Sequence, residues 1–159
     1  MKVIKSFCVM LLLILMATGF LGCGTSVAED DFTISVSMES TTIAYGEDPV
    51  IIATLTNLTD STFNITTRLF PVGLFWVIIP TAAGTVSIAT PAHIPRDHFR
   101  LEGGGHIVQE PRLLFFDFAP GEHVATVGAV FYVNFASRNR RLMRTESIEI
   151  TFTVLENKG

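Results

Sequence analysis

The residues with chemical reach in this chain of 159 are four histidines, a group of arginines and two cysteines. His93 and His98 flank Pro95-Arg96-Asp97, and His106 follows the run Gly103-Gly104-Gly105. Imidazole and carboxylate suit zinc or copper, so His93, Asp97, His98 and His106 could hold a metal if the segment folded back on itself. Their spacing matches no motif with a mechanism attached, and histidines in stretches rich in proline and glycine are usually just solvated. No metal and no cofactor is therefore expected. Nucleophilic catalysis needs a hydroxyl, a base and an orienting acid in one place. Ser87 or Ser137 with His98 and Asp97 supply the residue types, yet no serine stands in a Gly-x-Ser-x-Gly turn. Asp97, Glu102 and Glu110 are no better marked as an acid/base pair, and no catalytic residue is assigned.

Arg138, Arg140, Arg141 and Arg144 fall within one short segment. Guanidinium forks suit phosphate, carboxylate or acidic glycan, and beside a membrane they suit anionic headgroups. The plainer expectation is a solvated hairpin tip that keeps a sheet edge from pairing with other chains. Leu74-Phe75-Trp76-Val77-Ile78 is apolar without a break. It reads as a core strand covered on both faces, or, if one face is open, as a partner surface anchored by Phe75 and Trp76.

The two cysteines are Cys8 and Cys23. Lys2 and Lys5 open the chain, Phe7–Met16 is almost wholly apolar, and Phe20-Leu21-Gly22-Cys23 closes the run. A cationic start before an apolar core is the form of a secretory signal. That core is shorter than the roughly 20 residues a spanning helix needs. The stretch resembles a bacterial lipoprotein signal and its lipobox, with Gly22 as the small residue before the cysteine and Phe20 where leucine is usual. The resemblance implies cleavage between Gly22 and Cys23, diacylation of the Cys23 thiol, and anchoring by acyl chains. Each buried methylene contributes about 0.8 kcal/mol, and more than one chain is needed for a stable hold. Gly24 lacks the aspartate that the family links to inner-membrane retention. The expected place is the extracytoplasmic side of a membrane, at the cell surface or in a periplasm. In a bacterial chain the glycosylation patterns Asn57-Leu58-Thr59 and Asn64-Ile65-Thr66 read as coincidence.

Without Met1–Gly22, 137 residues remain, with nine basic against 15 acidic and a formal net charge of −6. That is one domain, large enough for a real core. So acidic a chain is not expected to bind nucleic acid, because phosphate contact needs a basic face. With Cys8 removed and Cys23 acylated, no intradomain disulfide can form, so stability must come from core burial.

The elements that must position any site are strands. Cys23–Asp31 is small and acidic and reads as a short tether, leaving residues 32–159 as the domain. Phe32, Ile34, Val36 and Met38 alternate with Thr33, Ser35 and Ser37, the period of a half-buried strand. Val50–Thr56, with Ile51, Ala53 and Leu55 on one face, and Thr62–Leu69 are the next strands. Thr85–Thr90, His106–Gln109 and Arg112–Phe118 also read as strands. Val127–Phe135 and Ile148–Val154 show the clearest alternation. Pro91–Gly105 reads as mainly loop, and Ser137–Thr145 as the loop that carries the arginines. No sustained helical period appears after the signal helix, so the expected fold is an all-β sandwich of about seven to nine strands.

Tyr45-Gly46-Glu47 precedes a strand ending in Thr56-Asn57, and Pro120-Gly121-Glu122 precedes one passing through Val133-Asn134. This Gly-Glu turn before a long strand resembles the immunoglobulin-like domains of bacterial surface lipoproteins. It is also similar to the bacterial intracellular proteinase-inhibitor family, over Phe32–Leu58 and Phe118–Leu155. The resemblance implies a fold and no catalytic set. The functional expectation is a lipid-anchored, extracytoplasmic binding or structural module of the cell envelope, not an enzyme, with an envelope protein or glycan as partner. The alternatives are a proteinase inhibitor that inserts a loop such as Arg96–Gly105, and a metal-binding or enzymatic lipoprotein using the His93–His106 segment.

Overall fold

The computed structural model describes residues 27–67, 73–80, 86–88, 90–91, 98–112, 118–134 and 140–156. Within them a 3-10 turn, Glu29–Asp31, precedes 13 strands. These are β1 Phe32–Met38, β2 Thr42–Ile43, β3 Ile51–Asn57, β4 Phe63–Thr66, β5 Phe75–Pro80, β6 Val86–Ile88 and β7 Thr90–Pro91. There follow β8 His98–Leu101, β9 His106–Gln109, β10 Pro111–Arg112, β11 Gly121–Val133, β12 Arg141–Arg144 and β13 Ile148–Val154. Among the described residues no helix is long and apolar enough to cross a membrane. The segment expected to form the signal helix lies outside them.

The protein is an all-β sandwich. One sheet has the order β1-β3-β9. The other is built on β11, whose 13 residues are long enough to serve two sets of neighbours. Its first half pairs with β13 over Gly121–Val127 and with β5 over Thr126–Ala129. Its second half pairs with β12 over Val130–Val133 and with β4 at Tyr132 and Val133. β2 runs parallel to the end of β13, β8 adds to β4, and β6 adds to β5. β7 and β10 form a separate short pair.

Alternation in the sequence becomes two faces in space. In β3, Ile51, Ala53, Leu55 and Asn57 are buried while Ile52, Thr54 and Thr56 are half-buried. In β11 the odd-numbered residues from Ala125 to Val133 form the inward row. Phe32 links the two layers, with ring centroids 5.3 Å from Phe63 and 5.1 Å from Phe131. At the other end Phe118, His123 and Phe152 form a second ring cluster with centroids 5.4–5.6 Å apart, and His123 Nε2 lies 2.8 Å from the Ala119 carbonyl.

Two loop readings are corrected. Pro91–Gly105 contains β8, because His98-Phe99-Arg100-Leu101 alternates and sets Phe99 and Leu101 toward the core. Its short pattern is hidden among prolines and glycines in the sequence. Ser137–Thr145 contains β12, which offers a single buried residue, Met143. Leu142 and Met143 stand side by side between two arginines, so the apolar residues show no alternation to read. The tether reading also shortens at its end. Val27 is buried in the core cluster. The Ala28 N–H donates to the Asp31 carboxylate at 2.7 Å, and the Leu58 N–H donates to the Asp31 carbonyl at 2.8 Å.

Candidate functional site

The candidate site lies along the outer edge of β1. β1 and β3 pair without a bulge over all seven residues of β1. The ladder is bracketed by Leu58 N–H donating to the Asp31 carbonyl and Glu39 N–H donating to the Val50 carbonyl. In an antiparallel ladder, residues whose backbone groups face the partner alternate with residues whose groups face away. The odd-numbered residues of β1 therefore bond to β3. The N–H and C=O groups of Ile34, Val36 and Met38 turn outward, together with the Phe32 carbonyl. The Phe32 N–H is already taken by the Glu29 carbonyl.

Beside this edge runs a groove of about 600 Å³. It is lined by Phe32, Thr33, Ile34 and Leu58 and by residues 144–148, where β12 hands over to β13. Glu29 and Asp30 line it as well. Three carboxylates and one guanidinium line it, so its field is acidic. The handover is fixed by Thr145, whose Oγ1 accepts from the Ala129 N–H at 3.0 Å and whose own N–H donates to the Ala129 carbonyl at 3.1 Å.

The arginines do not share one loop. Arg138 lies outside the described residues, and Arg140 is exposed just before β12. The Arg141 guanidinium donates to the Val27 carbonyl and ties the start of the described chain to β12. Arg144 faces the groove. Phe75 is fully buried, with Val77 and Ile79 on the same face. Trp76 is half-buried on the opposite face, directly across from Gly128. A Cβ at Gly128 would stand 2.3 Å from the indole Cζ2, so the ring lies on the strand where no side chain intervenes.

Of the proposed metal ligands, His93 and Asp97 lie outside the described residues. His98 stands on β8 and His106 on β9, in different sheets. The described residues contain no group of three or more His, Cys, Asp or Glu placed to hold a metal ion. Cys23 and Gly22, the lipidation and cleavage residues, also lie outside. In the segment read as an insertable loop, residues 98–101 are strand and the glycine run is fastened. The Gly104 N–H donates to the Thr59 carbonyl and the Asn57 N–H to the Gly105 carbonyl, both at 3.0 Å.

Asn57 organises that corner. Its amide donates to the Ser61 and Glu102 carbonyls at 2.7 and 2.9 Å, and its Oδ1 accepts from the N–H and hydroxyl of Thr59. With its amide nitrogen fully engaged, the Asn57-Leu58-Thr59 pattern is closed to glycosylation in the folded protein.

Glu29, Asp30, Glu146 and the β1 edge were not candidates in the sequence reading. The signal was present as an acidic triplet, Glu29-Asp30-Asp31, directly before a strand free of charge and proline. Which edge of that strand stays open depends on pairing.

No protein-family model and no curated protein matches the chain. Among solved structures, the putative ApaA protein from Bordetella pertussis superposes with a TM-score of 0.50 at 11% identity, covering 78% of this chain and 94% of that one. The Pseudomonas fluorescens alkylpurine DNA glycosylase AlkC gives 0.46 at 15% identity over 79% of this chain. A mutant β-glucosidase from Listeria innocua gives 0.47 at 15% identity over 79%. The chain spans only 31% of the glycosylase and 16% of the glucosidase. The ApaA likeness is one of fold alone.

Proposed function

We propose that this protein is a lipid-anchored, extracytoplasmic binding module of the bacterial cell envelope, held through acyl chains on Cys23 and acting on an envelope protein or glycan without catalysis. The observation that carries the reading is the position of Val27. It is buried in the sandwich only four residues after Cys23, the residue at which the export signal read from the sequence would end. Four residues span about 14 Å at most. An acylated Cys23 would hold the folded domain against the headgroups, with the Arg141–Val27 bond fixing where the chain leaves it. The groove beside β1 begins at Glu29, close to that exit, and gives the module a surface to bind with.

Metabolic labelling with an alkyne palmitate analogue, followed by membrane fractionation, tests the anchor. The native chain is expected in the membrane fraction and labelled, and Cys23→Ala is expected to be neither. A Cys23→Ala chain that remains membrane-bound and labelled would sink the proposal.

A further inference from the structure

Sheet edges are sites of unwanted pairing, and proteins guard them with short strands, charges, prolines or bulges. The other edge strands among the described residues are guarded in this way. β2 has two residues and β6 three, β8 carries Arg100, and β9 stops after four residues at Glu110-Pro111. β1 has none of these devices. It is seven residues long, regular throughout, and free of charge and proline. Among the described residues nothing pairs with its outer side, and its first half, Phe32–Ile34, lines the groove that also holds Glu29, Asp30 and Glu146.

From these features we infer that the outer edge of β1 is a docking site for an extended, lysine- or arginine-bearing segment of a partner protein, which adds to the sheet as a further strand. Main-chain hydrogen bonds to Ile34, Val36 and Met38 supply affinity in this mode, and side-chain environments along the groove supply selectivity. The acidic lining selects the charge of the partner. Charge also disfavours a second copy of this chain. Two β1 strands paired antiparallel about Ser35 would set Asp31 of each against Glu39 of the other, carboxylate against carboxylate. The inference deepens the binding-module reading by naming the partner class. Cys23 plays no part in its test, so the two can fail separately.

The experiment uses the full chain in neutral detergent and two fluorescent peptides matched to β1 in length, one alternating Lys and Val, the other Glu and Val. Binding is followed by anisotropy and by amide hydrogen exchange. The lysine peptide is expected to bind at least about tenfold more tightly than the glutamate peptide, and to weaken as salt is raised. It should slow exchange at the amides of Ile34, Val36 and Met38. Val36→Pro removes one outward N–H and none of the bonds to β3, and is expected to weaken binding by about tenfold. If that variant does not fold, Asp30→Lys with Glu146→Lys changes only exposed side chains and should reverse the preference between the peptides. Equal binding of the two peptides, no binding of either, or protection confined to other strands would overturn the inference. So would concentration-dependent self-association that protects the same amides without peptide, which would assign the edge to a second copy.

Discussion

Asn57 is the residue on which the corner between β3 and β9 turns. Replacing it with alanine takes the Asn57 partner from the Ser61 carbonyl, the Thr59 N–H and the Glu102 carbonyl in a partly buried corner, where only the Glu102 carbonyl keeps another donor, the Gly105 N–H. Orphaned buried groups cost about 1–3 kcal/mol each, softened where water can enter, so Asn57→Ala should lower stability by about 3 kcal/mol in urea unfolding. Asn64→Ala, at an exposed position on β4, should stay within about 0.5 kcal/mol. The two lie in identical Asn-x-Thr patterns, and the sequence gives no means of ranking them. Gly128 shows the same dependence on a partner far along the chain. A methyl group there meets the Trp76 indole, so Gly128→Ala should expel the ring, red-shift its emission and make it more accessible to quencher. The expected cost is about 1–3 kcal/mol. Gly103 is less forgiving, because there a Cβ would stand 2.5 Å from the backbone of Asp60, which cannot rotate away as a side chain can.

At the scale of elements, legibility followed the number of inward side chains. β1 occupies the residues its alternation marks, and β3 and β13 do so to within a residue, because each sets at least three apolar side chains on one face. β8 and β12 offer two and one, too few to outweigh neighbouring arginines, prolines and glycines. β5 is legible as a strand, but its two faces are not, for the opposite reason. Its outward residues Trp76 and Ile78 are apolar too, so the chemical alternation vanishes although the burial alternation is clear. β12 makes a sharp test. Met143→Ala removes a side chain only 2% exposed and should cost about 2–4 kcal/mol, whereas Leu142→Ala, on the outer face and 39% exposed, should cost under about 1 kcal/mol. If the segment were a free arginine-rich loop, the two substitutions would be alike in denaturant titration.

For the molecule as a whole, the first packed residue is Val27 among those described, and the domain boundary falls before Asp31. A chain beginning at Phe32 loses Val27 burial, the Arg141 bond and the Asp31–Leu58 bond. It should unfold at lower urea than one beginning at Val27, by about 2–3 kcal/mol. Equal midpoints would restore the reading of residues 27–31 as free tether. The short span from Cys23 to Val27 also sets the working geometry of the proposed anchor. A Gly/Ser linker placed after Gly24 should leave unfolding unchanged while letting the domain stand farther from the lipid, measured as weaker energy transfer from Trp76 to a headgroup acceptor.

The sequence by itself determined the class of fold and the faces of its longest strands. Both follow from a period of two in apolar residues, and solvent exclusion acts on that period wherever the chain runs. It also carried the cysteine, its flanks and the acidic balance that motivate the envelope reading. Only the tertiary structure decided which strand keeps an edge unpaired among the described residues, that Arg141 holds Val27 while Arg144 lines the acidic groove, and that Asn57 joins the turn after β3 to the one before β9. These are matters of pairing between residues as far apart as Asn57 and Glu102, or Val27 and Arg141. Backbone hydrogen bonds are nearly blind to side-chain identity, so local composition leaves the choice of neighbour open, and the packing of the whole chain makes it.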